Sequence, residues 1–366
     1  MDEFGAFADQ LVEIATSEEV DAILIAGDLL DHPVPTAESE QLLYELLLRL
    51  RATEAKIIAI NGNHESEQRL DAVAPLLDGN RITMVTGLKP PSQGGVVRIP
   101  SRDGSEQADI GCIPFIPSRK VADGRDLFER SDSWPAAYAE QTAAIVRGYA
   151  AAMAPDAVRI VMAHLFASGA VLGGGEREVS VGPDYAVPAS ALPSDVGYIA
   201  LGHIHRRQRV AAAPAPTWYS GSPLMLDFGE ERDEKSVTIV EVGARTPATV
   251  RDIPITVGRK LVTLTGALDA VLTAGEAHPD AYLRLRVELL APHPGLALEV
   301  RDRLPNAVDI QVTYPEAPEQ ERPDLESLTP RERFGAYLAQ QRGFTDIDGM
   351  LATFDELLEA ERGGVL

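Results

Sequence analysis

The chain lacks the features that mark disulfide-rich, membrane or nucleic-acid-coating proteins. Cys112 is the single cysteine among 366 residues, which excludes a disulfide framework and a cysteine-based zinc site. No apolar run approaches the length of a membrane span, and no basic segment precedes an apolar one near the start. Together these absences predict a soluble cytoplasmic protein without a secretory signal.

Basic residues are also scarce, because 33 Lys and Arg stand against 56 Asp and Glu and give a formal net charge of -23. Phosphate contacts need Lys and Arg, so we do not expect this surface to coat nucleic acid by itself. A nucleic-acid enzyme stays open, since bound divalent metals supply local positive charge that the count omits, and a partner could supply more.

Strands and helices alternate over roughly the first 255 residues, which predicts an α/β domain. DAILIAGD (21–28) and AKIIAINGN (55–63) indicate buried strands, and SEQLLYELLLRL (39–50) between them indicates a helix. Residues 260–314 then alternate as strand, helix, strand, helix, strand, the pattern of a small α+β unit.

A segment rich in Pro and Glu follows the small unit and is typical of a linker. Two helices are predicted behind it, at about 330–341 and 346–361. We therefore divide the chain into a larger α/β domain (1–255), a small α+β domain (256–314), a linker (315–330) and a helical tail (331–366).

Side chains of the kinds that bind metals follow four predicted strands. They are Asp28 in GDLLDH, Asn63 and His64 in GNHE, His164 in AHLF, and His203 and His205 in GHIH. The carboxyl ends of strands in an open α/β sheet form the edge where ligands bind. One such histidine alone is more often structural, but this set of nitrogen and oxygen donors suits Mn²⁺, Fe²⁺ or Zn²⁺, and two ions can share a carboxylate.

In this order the four motifs resemble those of the calcineurin-like metallophosphoesterases. YIALGHIHRRQRV followed by YSGSPLMLDFGE resembles more closely the DNA repair nucleases of the SbcD/Mre11 type. The resemblance implies a metallophosphoesterase β-sandwich flanked by helices, with a small α+β capping domain and a helical C-terminal tail. It also implies a DNA exonuclease and endonuclease of an SbcCD complex, which processes double-strand breaks and hairpins with two divalent metal ions, Mn²⁺ being the favoured ion.

The resemblance assigns metal-binding roles by position. Asp28 is expected to bridge two metals, and Asn63, His164 and His203 are expected to complete one site. His205 is expected to bind the other metal. These roles agree with the chemistry of two-metal phosphoesterases, in which a shared carboxylate holds the two cations a few Å apart.

The catalytic residue implied by the resemblance is His64, beside the metals. It is expected to stabilise or protonate the leaving 3′ oxygen. Glu65 stands where the family commonly has Asp, and its longer side chain is expected to orient the His64 imidazole. Asp31 and His32 are explained by turn chemistry.

The family also has an Asp-x-His motif on a strand before the first helix, and none precedes the helix predicted around residues 4–14. We therefore expect the chain as written to lack the first strand of the domain and two metal ligands. The second metal would then have too few protein ligands for tight binding. Two alternatives to the nuclease stay open: a metallophosphodiesterase for small substrates, and a catalytically weakened scaffold subunit.

Two segments are candidates for binding partners. Arg206, Arg207 and Arg209 either contact DNA phosphates or form a solvated strand end. The tail helices either pack on the small domain or dock on an SbcC/Rad50-like SMC ATPase, as the resemblance implies. The resemblance further implies a homodimer, no membrane contact and a nucleoid-associated location.

Overall fold

The computed structural model describes residues 2–79, 81–118, 120, 138–176, 185–314, 328–340 and 346–362. The chain divides into two compact units. One comprises Met1–Val287 and Gly295–Gln311, and the other comprises Glu288–Pro294 and Val312–Leu366.

The larger unit begins with a parallel three-stranded sheet covered by helices. Its strands, in spatial order, are β1 (Ala22–Ala26), β2 (Lys56–Ile60) and β3 (Ile82–Val85), and the helices are α1 (Asp2–Ser17), α2 (Ala37–Arg51) and α3 (Glu67–Asp78). Helix α2 buries its leucines at positions 43, 46, 47 and 50, the spacing of a single helical face. The Thr36 side chain caps this helix by accepting a hydrogen bond from the Ser39 N–H.

A second sheet has six strands and carries a helix on its outer face. In chain order the strands are β4 (Val96–Pro100), β5 (Gln107–Ile113), β6 (Val158–His164), β7 (Tyr198–Gly202), β8 (Gln208–Arg209) and β9 (Thr217–Tyr219), and the helix is α4 (Tyr138–Ala152). The spatial order is β4-β5-β6-β7-β9-β8, with β5, β6, β7 and β9 parallel and the two edge strands antiparallel.

The two sheets pack face to face around one apolar core. Ile58 and Ile60 from β2 lie in the same buried cluster as Ile110, Cys112 and Met162 from β5 and β6. Separate clusters lie beneath the helices on the two outer faces. The result is a four-layered α/β/β/α sandwich, and the predicted fold class is confirmed.

After the second sheet the chain forms a hairpin and a small α+β element. The hairpin is formed by β10 (Ser236–Gly243) and β11 (Thr246–Pro254), and the α+β element contains β12 (Leu261–Ala267), α5 (Leu268–Gly275), β13 (Tyr282–Glu288), α6 (Leu296–Arg303) and β14 (Ala307–Thr313). Strands β12, β13 and β14 form their own sheet in that order. The strand and helix order predicted for 260–314 is therefore present.

The smaller unit contains the two helices predicted for the tail, α7 (Pro330–Gln340) and α8 (Ile347–Arg362). They pack through Phe334 and Phe354, whose rings stack at 4.6 Å, while Tyr337 and Leu357 remain about half exposed. Most of the predicted linker, residues 315–327, lies outside the described residues, and the domain boundaries stay predictions. Among the helices described, none combines the length and the apolar character needed to cross a membrane.

Candidate metal centre

Residues that follow strands of both sheets converge at one place. Asp28 follows β1, Asn63 follows β2, His164 ends β6 and His203 follows β7. One ligand atom each from Asp28, His164 and His203 lies within 4.8 Å of the others. Asn63 Oδ1 lies 3.0 Å from His164 Nε2 and 2.9 Å from His203 Nδ1, and these two ring nitrogens are 3.2 Å apart. The structure thus brings together four of the five residues predicted to bind metal.

The backbone around this cluster is arranged for close approach. A Cβ atom added at Gly27 would overlap the His164 ring, and one added at Gly62 would overlap the Asp28 carboxylate. Asp28 (φ 53°) and His203 (φ 103°) are themselves in the positive-φ region. Such conformations cost on the order of 1–3 kcal/mol each in non-glycine residues and concentrate at functional sites. The surrounding fold therefore holds both side chains in positions that the local chain would not choose.

The cluster contains more hydrogen-bond acceptors than donors. His164 Nδ1 lies 2.7 Å from the Ala26 carbonyl oxygen, so Nδ1 carries the proton and Nε2 faces Asn63 Oδ1 as an acceptor. Burial lowers the pKa of His164 and outweighs the charge of Asp28, which acts in the opposite direction. The neutral form of the ring is therefore favoured. Even with a proton on His203 Nδ1, the buried Asp28 Oδ1 has no donor among the described residues. Convergent nitrogen and oxygen acceptors beside an unsatisfied carboxylate are what a divalent cation requires, and the residues fit such an ion.

His64 lies beside the cluster and is held by a residue that sequence reasoning missed. Its Nδ1 is 3.1 Å from the Asp31 carbonyl oxygen and 3.3 Å from Asp31 Oδ1. This contact leaves Nε2 as the ring nitrogen available to a substrate. The sequence predicts only turn chemistry for Asp31, because its 33-residue separation from His64 leaves no local pattern.

Glu65 does not orient His64, so that prediction is wrong. Its two carboxylate oxygens accept hydrogen bonds from the backbone N–H groups of Leu30 and Gly62, at 2.9 and 2.7 Å. Burial, with a smaller contribution from the charge of Asp28, raises the pKa of Glu65 to about 7. The side chain instead joins the loop after β1 to the loop after β2, and so supports the loops that carry Asp28 and Asn63.

His205 is not part of the four-residue cluster. Its Nδ1 lies 2.8 Å from Glu230 Oε1, and the fully buried Glu230 carboxylate forms an ion pair with Lys235 at 2.7 Å. Burial alone would lower the pKa of His205, but the hydrogen bond and charge of Glu230, and then the charges of Glu176 and Asp28, raise it. Glu230 belongs to the YSGSPLMLDFGE segment, yet sequence reasoning gave it no role.

Aromatic side chains form one wall of the centre. The Phe115 ring stacks on the His203 ring, with 6.2 Å between the ring centroids. It meets the His164 ring edge-on, with 6.1 Å between the centroids. Tyr185 stacks on Phe115 at 6.1 Å. Because these rings pack against two candidate ligands, they restrict the rotation of both imidazoles. Sequence reasoning did not identify this wall.

Comparison with known proteins places the chain in one family. A profile of the calcineurin-like phosphoesterases matches residues 2–207, which is more than half of the chain. The chain belongs to this family. A second profile, that of the SbcD C-terminal region described as the type 5 capsule protein repressor C-terminal domain, matches residues 257–342.

Several bacterial proteins, each named as the D component of the nuclease SbcCD, are similar to this calcineurin-like phosphoesterase over most of its length. The Bacillus subtilis protein is 30% identical over 347 residues, covering 92% of this chain and 86% of the relative. The Rhodobacter capsulatus protein is 32% identical over 368 residues, covering 91% of this chain and 88% of the relative. The Escherichia coli K12 protein is 29% identical over 283 residues, covering 76% of this chain and 69% of the relative. The family resemblance read from the motifs is confirmed.

Proposed function

We propose that this chain is the nuclease subunit of an SbcCD complex and hydrolyses DNA phosphodiester bonds with two Mn²⁺ ions. The observation that carries the proposal is the convergence of Asp28, Asn63, His164 and His203 in a phosphoesterase fold. The names of the relatives support a nuclease subunit. Processing of DNA ends and hairpins during double-strand-break repair, at the nucleoid, belongs to the same proposal.

The residues suit this chemistry. Divalent ions held at the centre would supply Lewis acidity toward water and toward the phosphate oxygens. Asn63 and the neutral His164 would bind through Oδ1 and Nε2, the atoms that already face each other. His64, with Nδ1 held by Asp31, would present Nε2 to the leaving 3′ oxygen and donate a proton there.

The remaining parts of the chain are assigned within the same proposal. Residues 256–314 would act as a capping domain that steers DNA toward the metals. Residues 331–366 would bind an SbcC-type SMC ATPase, and the half-exposed Tyr337 and Leu357 support a docking role for the tail. The homodimer expected from the resemblance is retained as part of the proposal.

Hydrolysis by the full 366-residue chain with Mn²⁺ tests the catalytic part. We expect degradation of labelled single-stranded DNA, and loss of that activity in His164→Asn but not in His278→Asn, a substitution at an exposed position outside the cluster. Turnover of bis-nitrophenyl phosphate without DNA degradation would favour the small-substrate enzyme. No turnover of either substrate, with partner binding intact, would favour the scaffold.

Binding to a purified SMC ATPase partner tests the tail. Because Tyr337 and Leu357 are about half exposed, changing both to Glu should leave the fold intact and abolish complex formation, as deletion of residues 325–366 should. Leu298→Glu changes an exposed leucine on α6 and serves as the control. Degradation of single-stranded DNA should persist in all of these variants, and undiminished complex formation in the double variant would contradict the assignment.

A further inference from the structure

His205 is held at every polar atom except one. Its backbone N–H donates to Glu176 Oε1 at 2.9 Å, and its carbonyl oxygen accepts from the Ser222 N–H at 2.9 Å. Its ring Nδ1 lies 2.8 Å from Glu230 Oε1. Within the described part of the chain, Nε2 is the polar atom of His205 that is left without a hydrogen bond. The backbone and the ring are thus both fixed while one ring nitrogen stays available.

The Glu230 carboxylate is organised asymmetrically. Its Oε2 accepts from Lys235 Nζ at 2.7 Å, from the Leu226 N–H at 3.1 Å and from Ser222 Oγ at 3.2 Å. Its Oε1, in contrast, faces the His205 ring alone among the described residues. A carboxylate that only tied the loop together would be satisfied by the three donors on Oε2. The second oxygen is therefore reserved for the imidazole.

This arrangement selects one form of the ring. Lys235 is itself buried and supplies the positive charge that keeps the buried Glu230 ionised. An ionised carboxylate accepts hydrogen bonds and donates none, so a neutral His205 carries its proton on Nδ1. Nε2 is then the nitrogen with a free electron pair. Because Oε2 is saturated by donors, Glu230 is poorly placed to bind a cation itself.

We propose that Glu230 is a positioning residue, which fixes the Nδ1–H tautomer of His205 so that Nε2 is presented to a second divalent cation beside Asp28. The inference rests on the proposed function, because that function supplies the two-metal centre. Lys235 acts one step further away, by holding the Glu230 carboxylate in place. Carboxylates that orient metal-binding histidines typically contribute about 10- to 100-fold to metal affinity.

Two measurements on Glu230→Gln test the inference. In the first, nitrogen chemical shifts of histidine-labelled, metal-free protein at alkaline pH report the His205 tautomer, with His205→Asn used to assign the signals. We expect the Nδ1–H form in the wild type and a mixed or Nε2–H form in the variant. In the second, electron paramagnetic resonance of free Mn²⁺ measures binding. We expect the weaker of two classes of site to weaken further, by about 10- to 100-fold, while the tighter class, which contains Asn63, His164 and His203, is retained.

Asp109→Asn is the matched control, because Asp109 is a buried carboxylate paired with Arg98 and does not contact His205. It should change neither readout. If Glu230→Gln fails to fold because Lys235 is left unpaired, the double variant Glu230→Gln/Lys235→Met removes both charges and should show the same two changes. An unchanged tautomer with two unchanged Mn²⁺ affinities would overturn the inference.

Neither readout uses DNA hydrolysis. A wild-type chain that binds two Mn²⁺ ions but leaves DNA intact would defeat the proposed function and leave the role of Glu230 standing. If the His205→Asn variant binds Mn²⁺ as the wild type does, the role of Glu230 in a second cation site is overturned, whether or not DNA is hydrolysed.

Discussion

The two sides of the candidate centre differ in how far their carboxylates are compensated by hydrogen-bond donors and positive charge. On one side, Asn63 and His164 bring acceptor atoms to within 3.0 Å of each other, and Asp28 Oδ1 lacks a donor among the described residues. On the other side, Glu230 is surrounded by donors. Burial would raise the pKa of Glu230, but the hydrogen bonds from His205 and Lys235 and the charge of Lys235 lower it to about 2.

The difference separates two tasks within one site. The Asp28 side is electrostatically incomplete, so a cation should stabilise it and its residues should matter most for hydrolysis. The His205 side is already neutralised by Lys235, so its residues aim one nitrogen rather than attract a charge. Substitutions on the two sides should therefore differ in their effects on metal binding and on hydrolysis.

Replacing Asp28 by Asn should have the largest effect, a loss of Mn²⁺-dependent DNA hydrolysis of about 10³-fold or more. The change removes the negative charge that the cluster offers to a cation and keeps the size of the side chain. Initial rates on labelled single-stranded DNA measure the loss. Thermal unfolding of the metal-free variant should occur at the same temperature or higher, because the unsatisfied carboxylate is gone.

Asp109→Asn is again the control, since Asp109 lies toward the start of β5, away from the strand ends that carry the ligands. Its hydrolysis rate should stay within about twofold of the wild type. A loss of less than tenfold in Asp28→Asn would remove Asp28 from the centre of the mechanism.

Mn²⁺ itself should stabilise the fold through the Asp28 side. At a concentration 100 times its Kd, a bound ion raises the free energy of unfolding by about 2.7 kcal/mol. Urea unfolding with and without Mn²⁺ measures this difference. His203→Asn should lose most of it, because the change removes a ring nitrogen that lies 2.9 Å from Asn63 Oδ1. Equal stabilisation in His203→Asn and in the His278→Asn control would show that the ion binds elsewhere.

Asp31→Asn should have a smaller effect, a decrease in kcat of about tenfold with little change in KM. The Asp31 carboxylate helps to hold the His64 ring, but its carbonyl oxygen contacts the same nitrogen at 3.1 Å and remains after substitution. In a double-mutant cycle, adding Asp31→Asn to His64→Asn should cost nothing more. Additive losses from the two substitutions would mean that Asp31 acts independently of His64.

The sequence predicted elements and ligands that leave a local pattern. Helix α2 was expected over 39–50 and spans Ala37–Arg51, because its leucines repeat at helical spacing. Four of the predicted ligands lie together because each stands at the end of a strand or just after it, and parallel strands end at one edge.

Contacts between distant parts of the chain leave no such pattern. Glu230 and His205 are 25 positions apart, so their hydrogen bond depends on the folded loops. The resemblance predicts that Glu65 orients His64, because the family commonly has Asp at that position. Both of its oxygens instead accept from backbone N–H groups. The strand-end pattern and the family resemblance therefore pointed to four residues that lie together in the structure, but not to the residues that support them.

The three arginines that follow His205 extend the charge-compensated side of the centre. Arg206 Nε lies 3.1 Å from Asp233 Oδ1, and Arg207 forms an ion pair with Asp252. The Arg209 guanidinium lies over the Trp218 ring, 5.2 Å from its centroid. Of the two sequence interpretations, these contacts favour an internally paired strand end over a set of phosphate-binding cations.

The double variant Arg206→Gln/Arg207→Gln should therefore have the smallest effect. A phosphate contact by each arginine would reduce the slope of log K against log salt by about one unit per residue. Because acidic neighbours already neutralise both guanidinium groups, we expect DNA affinity to change by less than about threefold and the slope to stay the same. Fluorescence anisotropy of labelled DNA over a salt series, with Ca²⁺ in place of Mn²⁺ to prevent hydrolysis, measures both quantities. A reduction of the slope by two units would show that DNA displaces Asp233 and Asp252, and the His205 side would then bind the phosphate backbone as well as orient a ligand.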